Sequence, residues 1–355
     1  MNASVKGSSQ PYMTLEELVN APPIPSTQEV PAEMAKMMRP DRGVYVRSKS
    51  KPKFDFATEE VPQVPGLWRV VGGSQDEEIV TTIPGQEQVA LEPAALAKED
   101  PAITEGYRPP WVPLEYLPRL APFRAGGDLF LEPRAIEEGQ RLNYPWCTIG
   151  IVFNSRGEQG SGVLVGPNLL LTAGHVAPWG QNPWSMEFVP AFRAGHRPFG
   201  SSFVQHYRGY NTTQPSFEAS GKDFVICKLY TPLGQSLGWM GTQSWGNEDE
   251  YYRRRYLSSG YPGTFQQRPA VELDMGLRDI DNDSPGKELE FSAAGHPDLG
   301  EGWSGGPLWL PAEGPTVVGV LSGTEKDELD PRFLVFAGGK GMVDLVKFGL
   351  DNWRP

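Results

Sequence analysis

Short apolar runs separated by turn-forming residues fill the chain from about residue 143 onwards. Clusters of Gly, Pro, Asn and Ser bound these runs, which is typical of β-strands joined by turns. No helical pattern lies between them, and this argues against a parallel α/β sheet. The pattern therefore predicts an all-β fold. The apolar runs are YPWCTIGIVF, GSGVLVG, NLLLTAG, DFVICKLY, RRYLSSGYPG, LWLPA, TVVGVLSG and RFLVFAGG.

The two ends of the chain depart from this strand pattern. Apolar residues at helical spacing predict a C-terminal helix over Met342–Trp353. Residues 1–135 contain 18 of the 35 prolines and alternate charged clusters with isolated apolar residues. We therefore expect a Pro-rich N-terminal extension or pro-segment, with brief helices at Thr14–Asn20 and Ala32–Met38. Residues 136–355 then form the folded domain.

Large apolar side chains within the extension indicate that it is not a freely solvated tail. Such side chains are rarely left without any cover. We expect the extension to pack on the domain that follows. The residues concerned are Trp68, Trp111, Tyr116 and Leu117.

Charge and cysteine content narrow the class of protein. The net charge of -12, from 32 Lys and Arg against 44 Asp and Glu, would repel a phosphate backbone, so we expect no nucleic-acid partner. No apolar run is long enough to span a membrane, and the opening residues lack the apolar core of a signal peptide. The two cysteines, Cys147 and Cys227, exclude a disulfide-dense scaffold. Two reduced core thiols and one single bridge both remain open.

The first candidate for chemistry is His175, which follows a small-residue bend in GSGVLVGPNLLLTAGHV. Ala173 and Gly174 leave space beside the imidazole, and a general base needs that space because it must approach a hydroxyl to about 3 Å. A lone histidine at a strand end is more often a structural residue. Two motifs downstream favour the role of general base.

The second candidate is Asp223, which stands immediately before an apolar strand in GKDFVICKLYTPLG. A carboxylate in that position can hold a histidine in one tautomer and stabilise the imidazolium that forms during catalysis. An aspartate at a strand start is usually structural. Its place between the other two motifs makes Asp223 the candidate orienter of His175.

The most specific pattern is GEGWSGGPLWL, in which three glycines surround Ser304. They expose its hydroxyl and let nearby backbone N–H groups turn towards one point, where they would stabilise the oxyanion of a tetrahedral intermediate. We predict that Ser304 is the nucleophile and that the N–H groups of Gly302 and Ser304 form the oxyanion hole. A flexible Gly-Ser turn is the alternative, but flexible linkers do not usually run straight into Pro-Leu-Trp-Leu.

Two other serine hydrolase architectures fit less well. The stretch also satisfies G-x-S-x-G, but an α/β-hydrolase elbow opens a helix after the serine, and its histidine follows the serine. Here Gly306 and Pro307 lead into a strand-like run, and the last histidine, His296, precedes Ser304. The order His, Asp, Ser also differs from the subtilisin order.

Together, TAGHV, the Asp of KDFVICKL and GWSGGP resemble the three motifs of trypsin-like (chymotrypsin-fold) serine peptidases over residues 143–355. PLGQSLGWMG, SSGYPGT and VVGVLSG look closer to the V8-like glutamyl-endopeptidase branch, which has few cysteines. Nothing comparable covers residues 1–135. The resemblance implies two six-stranded antiparallel β-barrels with the triad in the cleft between them. It is also the only indication of secretion, since the sequence itself does not indicate a compartment.

The resemblance extends to substrate-binding residues. Ser322 falls where family members place a serine that supports the aspartate, and with Gly323 it belongs to a short edge that pairs with substrate backbone. Asp298, six residues before Ser304, occupies the place of the aspartate that attracts Lys or Arg in trypsin. A structural carboxylate or a solvated loop residue is the alternative for Asp298. Leu321 stands where glutamate-cleaving relatives carry a histidine, so a preference for glutamate is not carried over.

A trypsinogen-like sequence, RVVGG, occurs at Arg69–Gly73. In trypsin, the new N-terminus created by such a cleavage pairs with an aspartate before the nucleophile. Here that preceding residue is Trp303, so we predict that RVVGG is coincidental. Processing elsewhere in the extension or at its border, at Arg124, Arg134 or Arg141, remains open.

These observations predict a serine endopeptidase that hydrolyses peptide bonds through an acyl-enzyme intermediate. Protein or peptide substrates are the expected partners. One alternative is a peptide-binding module, catalytically silent or shut by the extension, and another is ester or acyl-transfer chemistry at the same site. H-E-x-x-H, paired C-x-x-C and P-loop patterns are missing from the sequence, so we expect no metal and no cofactor.

Overall fold

The chain divides into two compact units. The fold described below is that of the unit formed by Val44–Arg47 and Val80–Pro355. The computed structural model describes residues 83–92, 101–118, 135–212, 220–263, 265, 267–292, 299, 301–311, 314–324 and 333–355, and the backbone alone of residues 45–48, 79–82, 124–125, 128–129, 134, 264 and 325.

Short strands account for most of the regular structure. In chain order they are β1 (Tyr45–Ser48), β2 (Ile79–Thr82), β3 (Glu87–Ala90), β4 (Ala102–Thr104), β5 (Arg124–Ala125), β6 (Asp128–Leu129), β7 (Arg134–Ala135), β8 (Ile149–Asn154), β9 (Gln159–Gly166), β10 (Leu169–Thr172), β11 (Met186–Pro190), β12 (Ser202–Gly209), β13 (Val225–Leu229), β14 (Gly241–Ser244), β15 (Arg255–Gly260), β16 (Ala270–Gly276), β17 (Asp279–Asp283), β18 (Gly286–Ser292), β19 (Pro307–Leu310), β20 (Thr316–Glu325) and β21 (Phe333–Gly338). The helices are the 3₁₀ turns Gln140–Leu142, Trp146–Thr148, Gly174–Val176 and Gly263–Phe265, and the α-helices Leu233–Leu237, Asp249–Tyr252 and Lys340–Asn352.

Six strands close into the first barrel. Their order is β11-β8-β9-β10-β13-β12, and β12 pairs back onto β11. Every neighbouring pair is antiparallel. β8, β10 and β13 read as nearly continuous apolar runs because both of their faces are covered. In β10, Leu170 packs in one apolar cluster, while Leu169 and Leu171 pack in another that includes residues of the C-terminal helix.

The second sheet follows the order β17-β18-β21-β20-β19-β15-β16-β7. β14 joins β20 in parallel, and β4 pairs with β14. The sheet therefore has ten strands, more than a six-stranded barrel, and β4 and β7 among them come from before residue 136. The C-terminal helix Lys340–Asn352 buries Met342, Val343 and Val346 in the cluster that it shares with the first barrel. The predicted all-β fold with a C-terminal helix is confirmed.

Segments before residue 136 lie at the edges of both sheets. β3 pairs in parallel with β12, and β4 pairs with β14, where the hydroxyls of Thr104 and Thr242 are 2.7 Å apart. The indole of Trp146 donates to the carbonyl of Glu115 at 2.7 Å. Burial in this region comes from small and branched apolar residues, namely Ile83, Ala102 and Val112. Trp111 and Leu117, for which we expected cover, are instead 69% and 77% exposed.

The structure bears on several features that the sequence left open, among them the cysteines and the arginines near the border of the extension. Cys147 and Cys227 are both free and fully buried, so the single bridge is not formed. Arg141 is buried and donates to the carbonyl of Ala191, which leaves this arginine inaccessible to a protease. None of the helices in the described part of the chain is long and apolar enough to cross a membrane. The predicted helices Thr14–Asn20 and Ala32–Met38, Trp68, RVVGG, Asp298 and the side chains of Arg124 and Arg134 lie outside the described residues.

Candidate active site

His175 lies on the 3₁₀ turn Gly174–Val176, three residues after β10 ends. The turn approaches the start of β13 so closely that Gly174 has no room for a side chain. A Cβ atom there would lie 2.7 Å from Thr212 Oγ1 and 3.0 Å from Asp223 Oδ1. The glycine before the histidine therefore allows the imidazole-bearing turn to contact the aspartate.

Asp223 is fully buried and accepts hydrogen bonds at both carboxylate oxygens. Oδ1 accepts from the backbone N–H of His175 at 2.8 Å and from the Thr212 hydroxyl at 2.6 Å. Oδ2 lies 2.6 Å from His175 Nδ1 and accepts from the Ser322 hydroxyl at 2.7 Å. Four donors around one carboxylate offset the large cost of removing a charge from water. Because an ionised carboxylate only accepts, Nδ1 carries the ring proton.

The surroundings of His175 act on its pKa in opposite directions. Burial lowers the pKa of His175, but the charge of Asp223 and its hydrogen bond to the ring raise it, and the net direction is upward. The Arg156 guanidinium lowers the pKa further, and the Glu158 carboxylate raises it. Arg156 also donates to the carbonyl of His175 at 2.5 Å and pairs with Glu158 at 2.6 Å. The turn between β8 and β9 thus holds the histidine turn from its other side.

Ser304 lies in a tight turn that precedes β19. Gly302 and Gly305 on either side adopt left-handed φ angles of 89° and 82°. Ser161 on β9 fixes the turn at two points, since its hydroxyl donates to the carbonyl of Gly302 and its N–H to the carbonyl of Ser304, both at 2.7 Å. The side chain of Ser304 is partly exposed. The sequence pattern around it folds as a constrained turn and not as a flexible linker.

Backbone contacts bring the Ser304 turn against the His175 turn. A Cβ atom on Gly160 would lie 2.9 Å from the carbonyl oxygen of Ser304 and 2.8 Å from a methyl group of Val176. A Cβ atom on Gly305 would lie 2.8 Å from the backbone nitrogen of Ala173. The structure therefore places the turn that carries Ser304, before β19 of the second sheet, against the turn of the first barrel that carries His175.

The two N–H groups assigned to the oxyanion hole belong to the residues on either side of Trp303 in the chain. Among the described residues, neither the N–H of Gly302 nor that of Ser304 donates to a protein acceptor. A side chain at Gly302 would collide with the carbonyl of Tyr261, so only glycine fits this conformation. Unoccupied donors beside a partly exposed serine are what an oxyanion hole requires.

The candidate substrate-binding residues differ in burial and in contacts. Ser322 is buried at a register shift between Leu321 and Gly323, and this bulge directs its hydroxyl at Asp223. Ser322 Oγ also accepts the N–H of Ser220 at 3.1 Å. Gly323 is partly exposed on β20, and Leu321 is buried. For Asp298 the described residues supply no geometry.

Two residues of the site were not found from the sequence. Thr212 donates to Asp223, and Arg156 donates to the carbonyl of His175. Neither lies in a motif, and both reach the site through the path of the chain, so no local sequence signal could have found them.

The described part of the chain contains one further cluster of metal-ligating side chains. The carboxylates of Asp281, Glu288 and Glu290, on β17 and β18, lie within 4.8 Å of one another. All three belong to the second sheet, on the hairpin formed by β17 and β18. Clustered carboxylates are common without a bound cation, so they are not assigned as a metal site.

A family model described as Trypsin matches residues 135–338, which is more than half of the chain. The chain belongs to the trypsin family. The matched residues include the six strands of the first barrel, the second sheet except for β4 and the first residue of β7, and all three motifs around His175, Asp223 and Ser304. Membership of the trypsin family supports a serine-type peptidase.

Three solved structures are similar to this trypsin-family chain. A Glu endopeptidase in complex with MPD is 16% identical with a TM-score of 0.46, over 59% of this chain and 93% of that one. Protease Anisep from Arthrobacter nicotinovorans is 18% identical, with a TM-score of 0.40 over 54% and 90%. A thermostable serine protease AL20 from an extremophilic microorganism is 18% identical, with a TM-score of 0.39 over 56% and 94%. No curated protein gave a match.

Proposed function

We propose that this chain is a serine endopeptidase that hydrolyses peptide bonds through an acyl-enzyme intermediate. The observation that carries the proposal is the 2.6 Å contact between His175 Nδ1 and the buried Asp223, in a turn that adjoins Ser304. With its proton on Nδ1, the imidazole has Nε2 as the atom that accepts the proton of Ser304 as the hydroxyl attacks the scissile carbonyl.

The later steps use the same groups. The N–H groups of Gly302 and Ser304 stabilise the oxyanion of the tetrahedral intermediate. The imidazolium, paired with Asp223, then protonates the leaving amine as the C–N bond breaks. Water, deprotonated by His175, hydrolyses the ester on Ser304 and restores the free enzyme.

Substrate binding and domain roles are part of the proposal. Ser322 and Gly323 lie on an edge that pairs with the substrate backbone, and Asp298 is the candidate for the pocket that receives the side chain before the scissile bond. Residues 136–355 form the peptidase domain, and residues 1–135 are an extension of which the segments around β3 and β4 pack on it. The contacts of β3 and β4 support this packing.

Replacing the nucleophile tests the reaction. Ser304→Ala should lower kcat on peptide substrates by about 10⁴-fold to 10⁶-fold and leave the melting temperature close to that of the wild type. Ser236→Ala, which removes an exposed hydroxyl outside the three motifs of His175, Asp223 and Ser304, is the matched control and should retain full activity.

A fluorophosphonate probe distinguishes the peptidase from a binding module. Only a competent pair of Ser304 and His175 is labelled efficiently, so wild type should be labelled at Ser304 and Ser304→Ala should not. Equal hydrolysis by the wild type and Ser304→Ala, or a folded wild type that neither cleaves peptides nor reacts with the probe, would refute the proposed function.

A further inference from the structure

The residue before the nucleophile is a tryptophan whose side chain is completely buried. The indole N–H of Trp303 donates to the hydroxyl of Ser258, at 3.0 Å, and Ser258 is itself fully buried on β15. A group with this burial and a single polar partner is fixed in position, because an unpaired buried N–H costs about 1–3 kcal/mol.

Two glycines form the slot that holds this ring. A Cβ atom on Gly260 would lie 2.6–2.8 Å from three atoms of the Trp303 side chain, and a Cβ atom on Gly306 would lie 2.6 Å from one of them. Any larger residue at either position would displace the indole. The backbone of β15 and the backbone after the nucleophile therefore enclose Trp303 on two sides.

The backbone of Trp303 connects the two proposed oxyanion donors. Its own N–H lies between those of Gly302 and Ser304, and its carbonyl accepts the N–H of Gly306 at 2.7 Å. The carbonyl of Gly302 is held by the Ser161 hydroxyl, and the N–H of Gly305 by the carbonyl of Leu321 at 2.8 Å. The buried indole and these hydrogen bonds together constrain the short segment that carries both N–H groups.

We propose that Trp303, whose indole N–H donates to Ser258, is a positioning residue. It keeps the N–H groups of Gly302 and Ser304 directed at the oxyanion. This inference rests on the proposed function. A neutral indole that is paired with a hydroxyl of the same domain needs no counter-ion. The turn is therefore formed in the uncut chain, and no new N-terminus has to be created to complete it.

The same domain contains a second buried Trp–Ser pair that serves as a matched control. Ser259, the next residue on β15, accepts the indole N–H of Trp309 at 3.3 Å, and both of these residues are also fully buried. Trp309 packs in a different apolar cluster from Trp303. The two pairs share their chemistry and their burial, but only the pair of Trp303 and Ser258 includes the residue between the oxyanion donors.

The test compares Ser258→Ala with Ser259→Ala in the full-length protein. Each variant leaves one indole N–H unpaired, so both should melt at a lower temperature. Ser258→Ala should lower kcat by roughly 10-fold, because displacement of the turn relieves part of the penalty for the unpaired indole N–H. Its KM should change by less than about twofold. Ser259→Ala should keep kcat within about twofold of the wild type.

A second measurement reports on the oxyanion hole directly. A peptide boronic acid forms a tetrahedral adduct on the serine, and its inhibition constant should rise for Ser258→Ala in proportion to the loss of kcat. The affinity of a non-reacting product peptide should not change. A residue that only stabilises the fold would not separate these two affinities.

The phenylalanine variants form a second matched pair if an alanine variant does not fold. Trp303→Phe should lower kcat and boronic acid affinity by at least about threefold, and Trp309→Phe should not. The inference alone is overturned if the wild type is active and the members of both pairs behave alike. A wild type that is inert towards peptides would overturn the proposed function together with this inference.

Discussion

Asp223→Asn is the substitution for which the structure gives the most detailed expectation. The amide has the shape of the carboxylate, but one of its ends donates instead of accepting. At the Oδ1 position an NH₂ group would face the backbone N–H of His175, which cannot turn away. At the Oδ2 position it would face the Ser322 hydroxyl, which can rotate, and Nδ1, which can lose its proton. The second orientation is therefore favoured.

This orientation inactivates the general base. An NH₂ group that donates to Nδ1 places the imidazole proton on Nε2, and His175 then has no lone pair facing Ser304. The wrong tautomer costs about 10⁴-fold in kcat in a serine protease triad, or about 5.4 kcal/mol of barrier. The charge and hydrogen bond of Asp223 that raise the pKa of His175 are also lost. The pKa of the imidazole should therefore fall in the variant.

Steady-state kinetics on a peptide amide, measured from about pH 5 to pH 10, test both parts of the expectation. Asp223→Asn should lose about 10⁴-fold in kcat/KM at neutral pH, and the acid limb of its residual activity should move to lower pH. Asp351→Asn, at an exposed site on the C-terminal helix, is the control and should match the wild type. A loss smaller than about 10-fold, or an acid limb that does not move, would refute the tautomer argument.

Two further predictions concern pH and the glycines. Because the pKa of His175 is raised, its imidazole stays protonated above the ordinary value of about 6.5, so kcat/KM should fall as pH is lowered through a value higher than this; an acid limb below 6.5 would contradict it. Gly305 and Gly157 share a φ angle of 82°, but only a Cβ atom on Gly305 meets neighbouring atoms. Gly157→Ala should cost about 1–2 kcal/mol in the free energy of unfolding, and Gly305→Ala clearly more, in urea denaturation; equal costs would rule out crowding at Gly305.

The apolar pattern predicted several strands whose two faces are both covered, among them β8, β9, β10 and β13 of the first barrel, but not the fully buried β11. It missed β17 and β18, because charged residues alternate along that hairpin and leave no apolar run. The helix predicted over Met342–Trp353 is observed over Lys340–Asn352. A covered helix face gives a clear periodicity, whereas a helix end depends on local contacts that the pattern does not contain.

The site was predictable where it lies in motifs and unpredictable where it depends on the path of the chain. His175, Asp223 and Ser304 each stand in a distinctive local sequence. The Thr212 hydroxyl reaches Asp223, and the Ser258 hydroxyl reaches the indole before the nucleophile, only because separate strands meet. The parallel pairing of β3 with β12 uses backbone groups, which every sequence offers equally.

The pairing of β3 and β4 with the two sheets has a consequence for any truncated form of the protein. A fragment that starts at residue 136 would lose both strands, and β12 and β14 would then present unpaired N–H and C=O groups to solvent. Unpaired edge strands of this kind can pair with other chains and lead to aggregation. A truncated protein that starts before Ile83 keeps β3 and β4, so the edges of β12 and β14 stay paired. Its solubility should therefore resemble that of the full-length protein.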